Sequence, residues 1–307
     1  MGKAERRIFT GVLILLLAAA GALGLTWLFS TDTPPVYQVS ILLDGAEEDY
    51  WDNFLRGVDR AAQERNVDVR IISRYEGADV GQAQAEVLSK EVGKGADGVI
   101  LAPVDWAALL QVIEDASSSG IRTTVAGPRP DGGSAGCYIS ADPVEMGRKL
   151  ADAVAEEGSR SCTVYLSEEA GEAACLRLQG LEARLEELGI PCRSVTVSPD
   201  GEEQLPAGEG ALLAVEPGIT ERLCREAPEG ALIFGMDTSN DLLHHLEEGR
   251  IRALVVQCDY EAGYLSLQSL VGLIEGAGQA DRTLSSYTVT AETMFEDPMD
   301  QILFPIS

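Results

Sequence analysis

From residue 36 onward, short apolar runs alternate with longer segments of helical periodicity. The runs VYQVSILL (36–43), DGVILAPVD (97–105) and ALIFGMD (231–237) are largely apolar, and in the last two the centre is continuously so, unlike strands with one solvated face. Such strands, separated by amphipathic helices, are typical of a parallel sheet covered by helices on both faces. Because the alternation restarts near residue 137, we predict an α/β protein with two open lobes, each built on a parallel sheet, and a ligand cleft between them.

An uncharged apolar segment precedes this pattern at residues 11–29. As a helix it would span about 28 Å, close to the thickness of the hydrocarbon core of a bilayer. By the positive-inside rule the basic segment 1–10 stays cytoplasmic, so we predict a transmembrane anchor at 11–29, a linker at 30–35 and an extracytoplasmic remainder. A cleaved signal peptide ending at Ala18-Ala19-Ala20 and a buried soluble helix are the alternatives. The apolar run continues to Phe29, which favours the retained anchor.

The charge balance and the residue content exclude several classes of function. Asp and Glu total 50 against 23 Lys and Arg, for a formal net charge of −27. A surface this acidic repels phosphate backbones, so we predict no nucleic-acid partner. The only two histidines, His244 and His245, lie in a helical segment, where we expect an ordinary solvated or packed pair. Because the sequence contains no nucleophile–base pattern, phosphate loop or metal-ligand spacing, we predict a protein that is not an enzyme and uses no cofactor or metal.

Polar and aromatic residues follow several of the predicted strands. In open parallel sheets, ligands bind beyond the carboxyl ends of the strands, and this rule selects seven side chains before any family is considered. They are Glu48, Tyr50, Trp51, Asp105, Glu216, Asp237 and Gln257. Carboxylates and amides hydrogen-bond to hydroxyl groups and aromatic faces cover C–H surfaces, so this set suits a polyhydroxylated or amphipathic small molecule.

Several longer stretches occur in a characteristic order and spacing. They are EDYWDNFLRGVDRAA, KGADGVILAPVD, YISADPVEMGRKLA, CLRLQGLEARL, IFGMDTSNDLLHHLEEGRIRALVVQ and YEAGYLSLQSLVGLIEG. Together they resemble the type I periplasmic binding proteins of the ribose- and galactose-binding kind, which share their fold with the ligand domain of the lac-repressor family. The resemblance covers about residues 36–294 and implies two Rossmann-like lobes joined by a hinge. Residues 36–126 with 258–287 would form the N-terminal lobe, and 127–257 with 288–307 the C-terminal lobe.

The resemblance also implies roles for individual side chains. Tyr50 and Trp51 match the paired rings that stack on the ligand in this family. Arg177 matches a family arginine that precedes a helix glycine by three residues, and it becomes the eighth candidate. Asp105 and Asp237, facing Arg177, would form charge-assisted hydrogen bonds to vicinal hydroxyl groups.

Three further positions match the family and two depart from it. Glu48 matches a polar residue upstream of the ring pair, Gln257 a glutamine at the hinge, and Gln84 a glutamine that is more often architectural than ligand-binding. Gly127-Pro128 replaces a polar residue that usually follows the fourth strand, and Glu216-Pro217 stands where Asn or Asp is common. Both departures change the hydrogen-bonding set of the pocket, so the resemblance does not fix the sugar.

Each candidate also has a purely structural alternative. The two rings can belong to the core beneath the first helix, and an aspartate at a strand end can cap the next helix. Arg177 can be an ordinary helix surface residue, and Glu48 and Glu216 can be surface acids of a very acidic chain.

The six cysteines leave two possibilities open. In an extracytoplasmic protein an even number of cysteines invites pairing. Cys162 and Cys192 each open a predicted strand, and the resemblance makes those two strands neighbours. A disulfide between them is one possibility, and buried free thiols are the one that we favour.

The resemblance implies a membrane-tethered, extracytoplasmic solute-binding protein. It would bind a small, sugar-like molecule by closure of the cleft and deliver it to an ABC transporter, whose permease would be its partner. The alternative is a ligand sensor that signals to a membrane histidine kinase or a similar receptor.

Overall fold

The computed structural model divides the chain into two units, Met1–Val36 and Tyr37–Ser307. It describes residues 2, 11–13, 15–20, 35–45, 48–76, 79–198, 204–205, 207–278 and 280–305. In the first unit, residues 11–13 and 15–20 are helical, and their large apolar side chains are exposed. No helix among the described residues is both long and apolar enough to cross a bilayer. The rest of the predicted anchor, residues 14 and 21–29, and residues 30–34 of the predicted linker lie outside the described part.

The first sheet of the larger unit is entirely parallel in its described strands, in the spatial order β11-β5-β4-β3-β1-β2. Its strands are β1 (Tyr37–Leu42), β2 (Val67–Ile72), β3 (Gly98–Leu101), β4 (Arg122–Ala126), β5 (Cys137–Ala141) and β11 (Arg282–Leu284). The central strand β3 reads GVIL and is buried along its whole length, as expected for a parallel sheet covered on both faces.

The second sheet repeats this arrangement, with one antiparallel strand at its edge. Its strands are β6 (Cys162–Ser167), β7 (Cys192–Val197), β8 (Ala211–Ala214), β9 (Ile233–Met236), β10 (Ile251–Gln257) and β12 (Ser286–Val289). The spatial order is β12-β10-β9-β8-β6-β7, and β12 runs antiparallel to β10. The predicted α/β fold with two parallel-dominated sheets is therefore confirmed.

Helices connect most of the strands and cover the faces of both sheets. They are α1 (Asp52–Arg65), α2 (Val80–Gly93), α3 (Trp106–Ser118), α4 (Pro143–Glu156), α5 (Glu172–Leu188), α6 (Pro217–Glu226), α7 (Asn240–Glu247), α8 (Asp259–Ile274) and α9 (Met299–Leu303). A short 3-10 helix, Glu48–Trp51, precedes α1. Helix α8 packs on α1 and on strands of the first sheet, whereas α4 packs on α5 and on strands of the second.

The described chain passes between the two sheets after β5, after β10 and after β11. The amide N–H of Ala141 donates a hydrogen bond of 2.8 Å to Oε1 of Gln257, which ties the first two passages together. Strand β5 pairs with β4 in the first sheet, although the predicted boundary at residues 126 and 127 assigns it to the C-terminal lobe. We propose that the boundary between the two lobes lies at the passage after β5 instead, because pairing with β4 holds β5 in the first sheet. The remaining lobe boundaries stay predictions.

The end of the chain differs from its prediction. The last strand, predicted over 287–294, ends at Val289, and β11 precedes it without having been predicted. The tail, predicted to be irregular, contains α9, whose buried Met299, Ile302 and Leu303 join the apolar core of the second sheet. A helix this short is not stable by propensity alone, so only this tertiary packing explains it.

Candidate ligand-binding site

A cavity of about 900 Å³ lies where the carboxyl ends of strands from both sheets meet. Seven of the eight predicted residues line it, and both sheets contribute to the set. They are Tyr50, Trp51, Asp105, Arg177, Glu216, Asp237 and Gln257. The eighth, Glu48, begins the 3-10 helix that carries the two rings, and its role stays a prediction. The strand-end rule selected six of these seven residues, which are distant in sequence, and the family resemblance added Arg177.

A nearly buried ion pair forms part of the cavity wall. Arg177 donates from Nη1 to Oδ2 of Asp237 at 2.5 Å and from Nη2 to Oδ1 at 2.8 Å, and Nη1 also donates to the carbonyl of Val215 at 3.0 Å. The side chains are 13% and 4% exposed. Burial by itself lowers the pKa of Arg177, but the Asp237 carboxylate more than offsets this and raises it. The Nε of Arg177 is buried and has no hydrogen-bond partner among the described residues.

Close contact between two helices fixes the position of Arg177. A Cβ atom on Gly180 of α5 would lie 2.0 Å from the carbonyl oxygen of Val144 in α4. A Cβ atom on Gly147 of α4 would lie 2.0 Å from the carbonyl oxygen of Arg177 itself. Only glycine allows this approach, so the two helix glycines hold the Arg177 backbone against α4 and aim its side chain at the cavity.

Asp237 has an unusual backbone conformation. Its φ is +64°, in the left-handed region that side-chain-bearing residues rarely adopt, and it directly follows β9. The N-cap of α7 is Ser239, whose Oγ accepts a hydrogen bond from the N–H of Leu242 at 3.2 Å. The structural alternative for Asp237 therefore does not hold, since another residue caps the helix and the aspartate is paired with Arg177.

Gln257 and Asp259 link the chain passages between the two sheets to the cavity. Besides its bond to Ala141, Gln257 donates from Nε2 to Oδ1 of Asp259 at 3.2 Å, and Thr238 donates from Oγ1 to Oδ2 at 3.3 Å. Burial and the nearby Asp237 carboxylate raise the pKa of Asp259 to about 7. Both the oxygen and the nitrogen of the Gln257 amide therefore form hydrogen bonds within the protein, and the nitrogen orients the Asp259 carboxylate.

Sequence reasoning missed Asp259, although it lines the cavity. The one available signal was its place two residues after Gln257, directly beyond the end of β10. An acid in the first turn of a helix is so common that this signal is weak.

Aromatic side chains form another part of the wall. The Trp51 ring meets the rings of Tyr50 and Phe54 edge-on, with centroid separations of 5.2 Å in both pairs. Trp51 donates from Nε1 to Oδ1 of Asp44 at 3.0 Å and is 9% exposed. Burial, with a smaller contribution from Asp237, raises the pKa of Tyr50 well above its ordinary value, so its hydroxyl stays protonated and can donate. Trp51 packs in the core and also borders the cavity, and its contact with a ligand stays a prediction.

The two remaining acids already form structural hydrogen bonds. Asp105 accepts a bond of 2.8 Å at Oδ1 from the N–H of Ala107 and so caps α3, while its side chain stays exposed. Glu216 accepts a bond of 2.8 Å at Oε2 from the N–H of Ser167, and burial raises its pKa. Each carboxylate keeps further acceptor positions, so the predicted ligand contacts stay predictions.

Gln84 is architectural, as the sequence indicated. It is fully buried and donates from Nε2 to the carbonyls of Leu43 at 2.9 Å and Ala102 at 2.8 Å. Its Oε1 accepts from the N–H of Val104 at 3.0 Å. Because these backbone groups follow β1 and β3, Gln84 fixes the two loops that shape the first lobe's side of the cavity.

A sequence comparison decides the family. The model of the periplasmic binding protein domain matches residues 39–210, which is more than half of the chain. The chain belongs to this family. The predicted resemblance is thereby confirmed, and so is the prediction of a protein that is not an enzyme, because the proteins of this kind bind solutes. No curated protein sequence is similar enough to count as a relative.

Several solved structures share the fold of this periplasmic binding protein domain. An ABC transporter solute-binding protein from Burkholderia graminis, in complex with D-arabinose, has a TM-score of 0.74 at 16% identity, covering 85% of this chain and 97% of its own. A LacI-type transcriptional regulator from Bacteroides fragilis has a TM-score of 0.74 at 15% identity, covering 85% and 99%. A XylFII–LytSN complex has a TM-score of 0.71 at 16% identity, covering 84% and 99%. At these identities the likeness shows the fold alone.

Proposed function

We propose that this periplasmic binding protein domain binds a small, sugar-like solute in the cavity between its two sheets. The observation that carries the proposal is the Arg177–Asp237 pair, nearly buried in the wall of a cavity that the Tyr50 and Trp51 rings also line. Charged donors and acceptors suit vicinal hydroxyl groups, and ring faces suit the C–H surface of a sugar. The structurally similar protein with bound D-arabinose supports this ligand class.

A thermal-shift screen of the full chain, purified in mild detergent, tests ligand binding. The probes are D-arabinose, D-fucose, D-glucose, D-galactose and polyols. A solute that binds only the native state raises the Tm in a saturable way. Failure of every sugar and polyol to shift the Tm would refute the proposed ligand class.

A matched pair of variants then tests the site itself. Asp105→Asn keeps an oxygen that can cap α3 but removes a charge from the cavity. We expect it to weaken binding of the identified sugar roughly 10- to 100-fold, since a charged hydrogen bond contributes about 1.5–3 kcal/mol. Asp79→Asn is the control, because Asp79 caps α2 through the same kind of bond and is not one of the residues that line the cavity. Equal affinities of the two variants would exclude a ligand contact at Asp105.

We further propose that the chain is anchored in the membrane through residues 11–29 and works outside the cytoplasm. The exposed apolar side chains of the helical residues 11–13 and 15–20 support this proposal. The protein should stay with the membrane fraction in high salt and be released by detergent. Recovery of a mature N-terminus just beyond Ala20 would favour the cleaved signal peptide instead.

Delivery to an ABC transporter is the partner role that we propose, and sensing is the second candidate. The similar XylFII–LytSN complex gives the sensing role its support. A strain that lacks this gene separates the two roles. Loss of uptake of the identified sugar supports transport, whereas intact uptake with loss of a sugar-dependent transcriptional response supports signalling to a kinase.

A further inference from the structure

Cys162 and Cys192 occupy the first positions of two neighbouring parallel strands. The register between β6 and β7 places these two residues directly opposite each other. In-register residues of parallel strands point to the same face of the sheet, with Cα atoms about 4.8 Å apart. Disulfides join cysteines whose Cα atoms are about 4.4–6.8 Å apart, so the backbone spacing already suits a bond. A disulfide also needs the Cβ atoms to approach to about 4 Å, a small shift for residues at strand ends.

The two thiols differ in accessibility and in acidity. Cys162 is 3% exposed, whereas Cys192 is half-buried on β7, the edge strand of the second sheet. The Cys162 thiol donates to the carbonyl of Pro191 at 3.8 Å, and its interaction with Cys192, together with burial, raises its pKa, whereas the same interaction lowers the pKa of Cys192. Cys192 is therefore the better nucleophile and the one that a reagent reaches first.

We propose that Cys162 and Cys192 form a reversible disulfide that fastens the edge strand β7 to β6. The oxidant is a small disulfide such as glutathione disulfide. The Cys192 thiolate attacks one of its sulfur atoms, which gives a mixed disulfide and releases one glutathione. Cys162 then loses its proton and attacks the Cys192 sulfur, which expels the second glutathione. Overall, two protein thiols give one disulfide, and two protons and two electrons reduce glutathione disulfide to two thiols.

The remaining four cysteines lie elsewhere in the fold, and three of them serve as internal controls in the experiment below. Cys137 lies in the first sheet, Cys175 is exposed on α5, Cys224 lies in α6 and Cys258 follows β10. None of them stands opposite another cysteine in the strand pairing of the described residues. The chemistry at Cys162 and Cys192 involves no ligand, so this inference stands apart from the proposed solute binding.

The experiment incubates the full chain, carrying Cys175→Ser to prevent cross-linking between molecules, with glutathione buffers of increasing oxidising strength. Alkylation and peptide mass spectrometry then identify every disulfide. We expect a linked pair of peptides containing Cys162 and Cys192, and a mass lower by two hydrogen atoms. The bond would close a loop of roughly thirty residues, so the oxidised form should melt about 5–10 °C higher than the form reduced with dithiothreitol.

Two further variants make the outcome decisive. Cys192→Ser, at the more exposed position, should abolish both the linked peptides and the difference in Tm. Cys224→Ser, which removes another thiol of the same lobe, should leave both intact. A stable glutathione adduct on Cys192, a link between other cysteines, or no disulfide in the folded protein at any buffer composition would overturn the proposal.

Discussion

Replacement of Asp259 by asparagine should stabilise the protein, and the gain should depend on pH. Burial and the Asp237 carboxylate raise the pKa of Asp259 from 3.8 to about 7 in the folded protein. The unfolded chain, with an ordinary carboxyl, releases this proton at a lower pH. The ionised carboxylate therefore costs the folded state free energy, and the cost grows as the pH rises from about 4 to 7 and is constant above that range.

The size of the effect follows from the two pKa values. The difference of about 3 pH units, at 1.36 kcal/mol per unit, gives a cost of about 4 kcal/mol above pH 7. At pH 5 the same linkage gives about 1.5 kcal/mol, so the cost changes by about 2.5 kcal/mol between pH 5 and pH 8. Because Asp259 borders the cavity, where water screens its charge, these are upper values. Asparagine keeps an oxygen for the bond from Gln257 and removes the charge.

Urea unfolding of the full chain without sugar, at pH 5 and at pH 8, measures this difference. The gain of Asp259→Asn over the unchanged protein should be larger at pH 8. Asp281→Asn is the control and should destabilise the protein, because Arg129 donates to the Asp281 carboxylate and lowers its pKa. That variant should lose the same stability at both pH values, since both lie above the range in which Asp281 titrates. An equal effect of Asp259→Asn at the two pH values would refute the raised pKa.

Two further substitutions test how the scaffold supports the cavity. Gln84→Met removes the hydrogen-bond partner of the Ala102 carbonyl and of the Val104 N–H, and leaves the Leu43 carbonyl with the Tyr75 hydroxyl alone, so we expect urea unfolding to show a loss of about 2–4 kcal/mol; a loss below 1 kcal/mol would contradict this role. Gly180→Ala forces α5 away from the carbonyl of Val144 and displaces Arg177, so the Tm and the affinity for the identified sugar should both fall. Gly93→Ala, at a helix position with open space, should leave both unchanged, and equal behaviour of the two alanine variants would refute the close contact.

The sequence predicted the secondary structure of the larger unit closely, because helices and parallel strands leave periodic patterns in a single segment of chain. The strand β5, predicted at 137–141, has these bounds in the structure, and α3, predicted at 106–120, ends at Ser118. The carboxyl ends of such strands also follow from the pattern. The positions of Tyr50, Asp105 and Asp237 at the cavity could therefore be expected before the fold was known.

Other features were set by contacts between distant segments. Pairing with β4 places β5 in the first sheet, and the core of the second sheet stabilises α9, which has no strong local signal. The structural bonds of Glu216 and the raised pKa of Asp259 were likewise invisible in the sequence.

The sequence by itself determined which elements form and which of their ends carry polar side chains. Only the tertiary structure decided how those side chains act on one another. Arg177 meets Asp237 although 60 residues separate them in the chain, and Asp259 depends on that pair for the charges around it. The physical reason is that periodicity is a property of neighbouring residues, whereas burial, ion pairing and pKa depend on every atom that folding brings within a few ångströms.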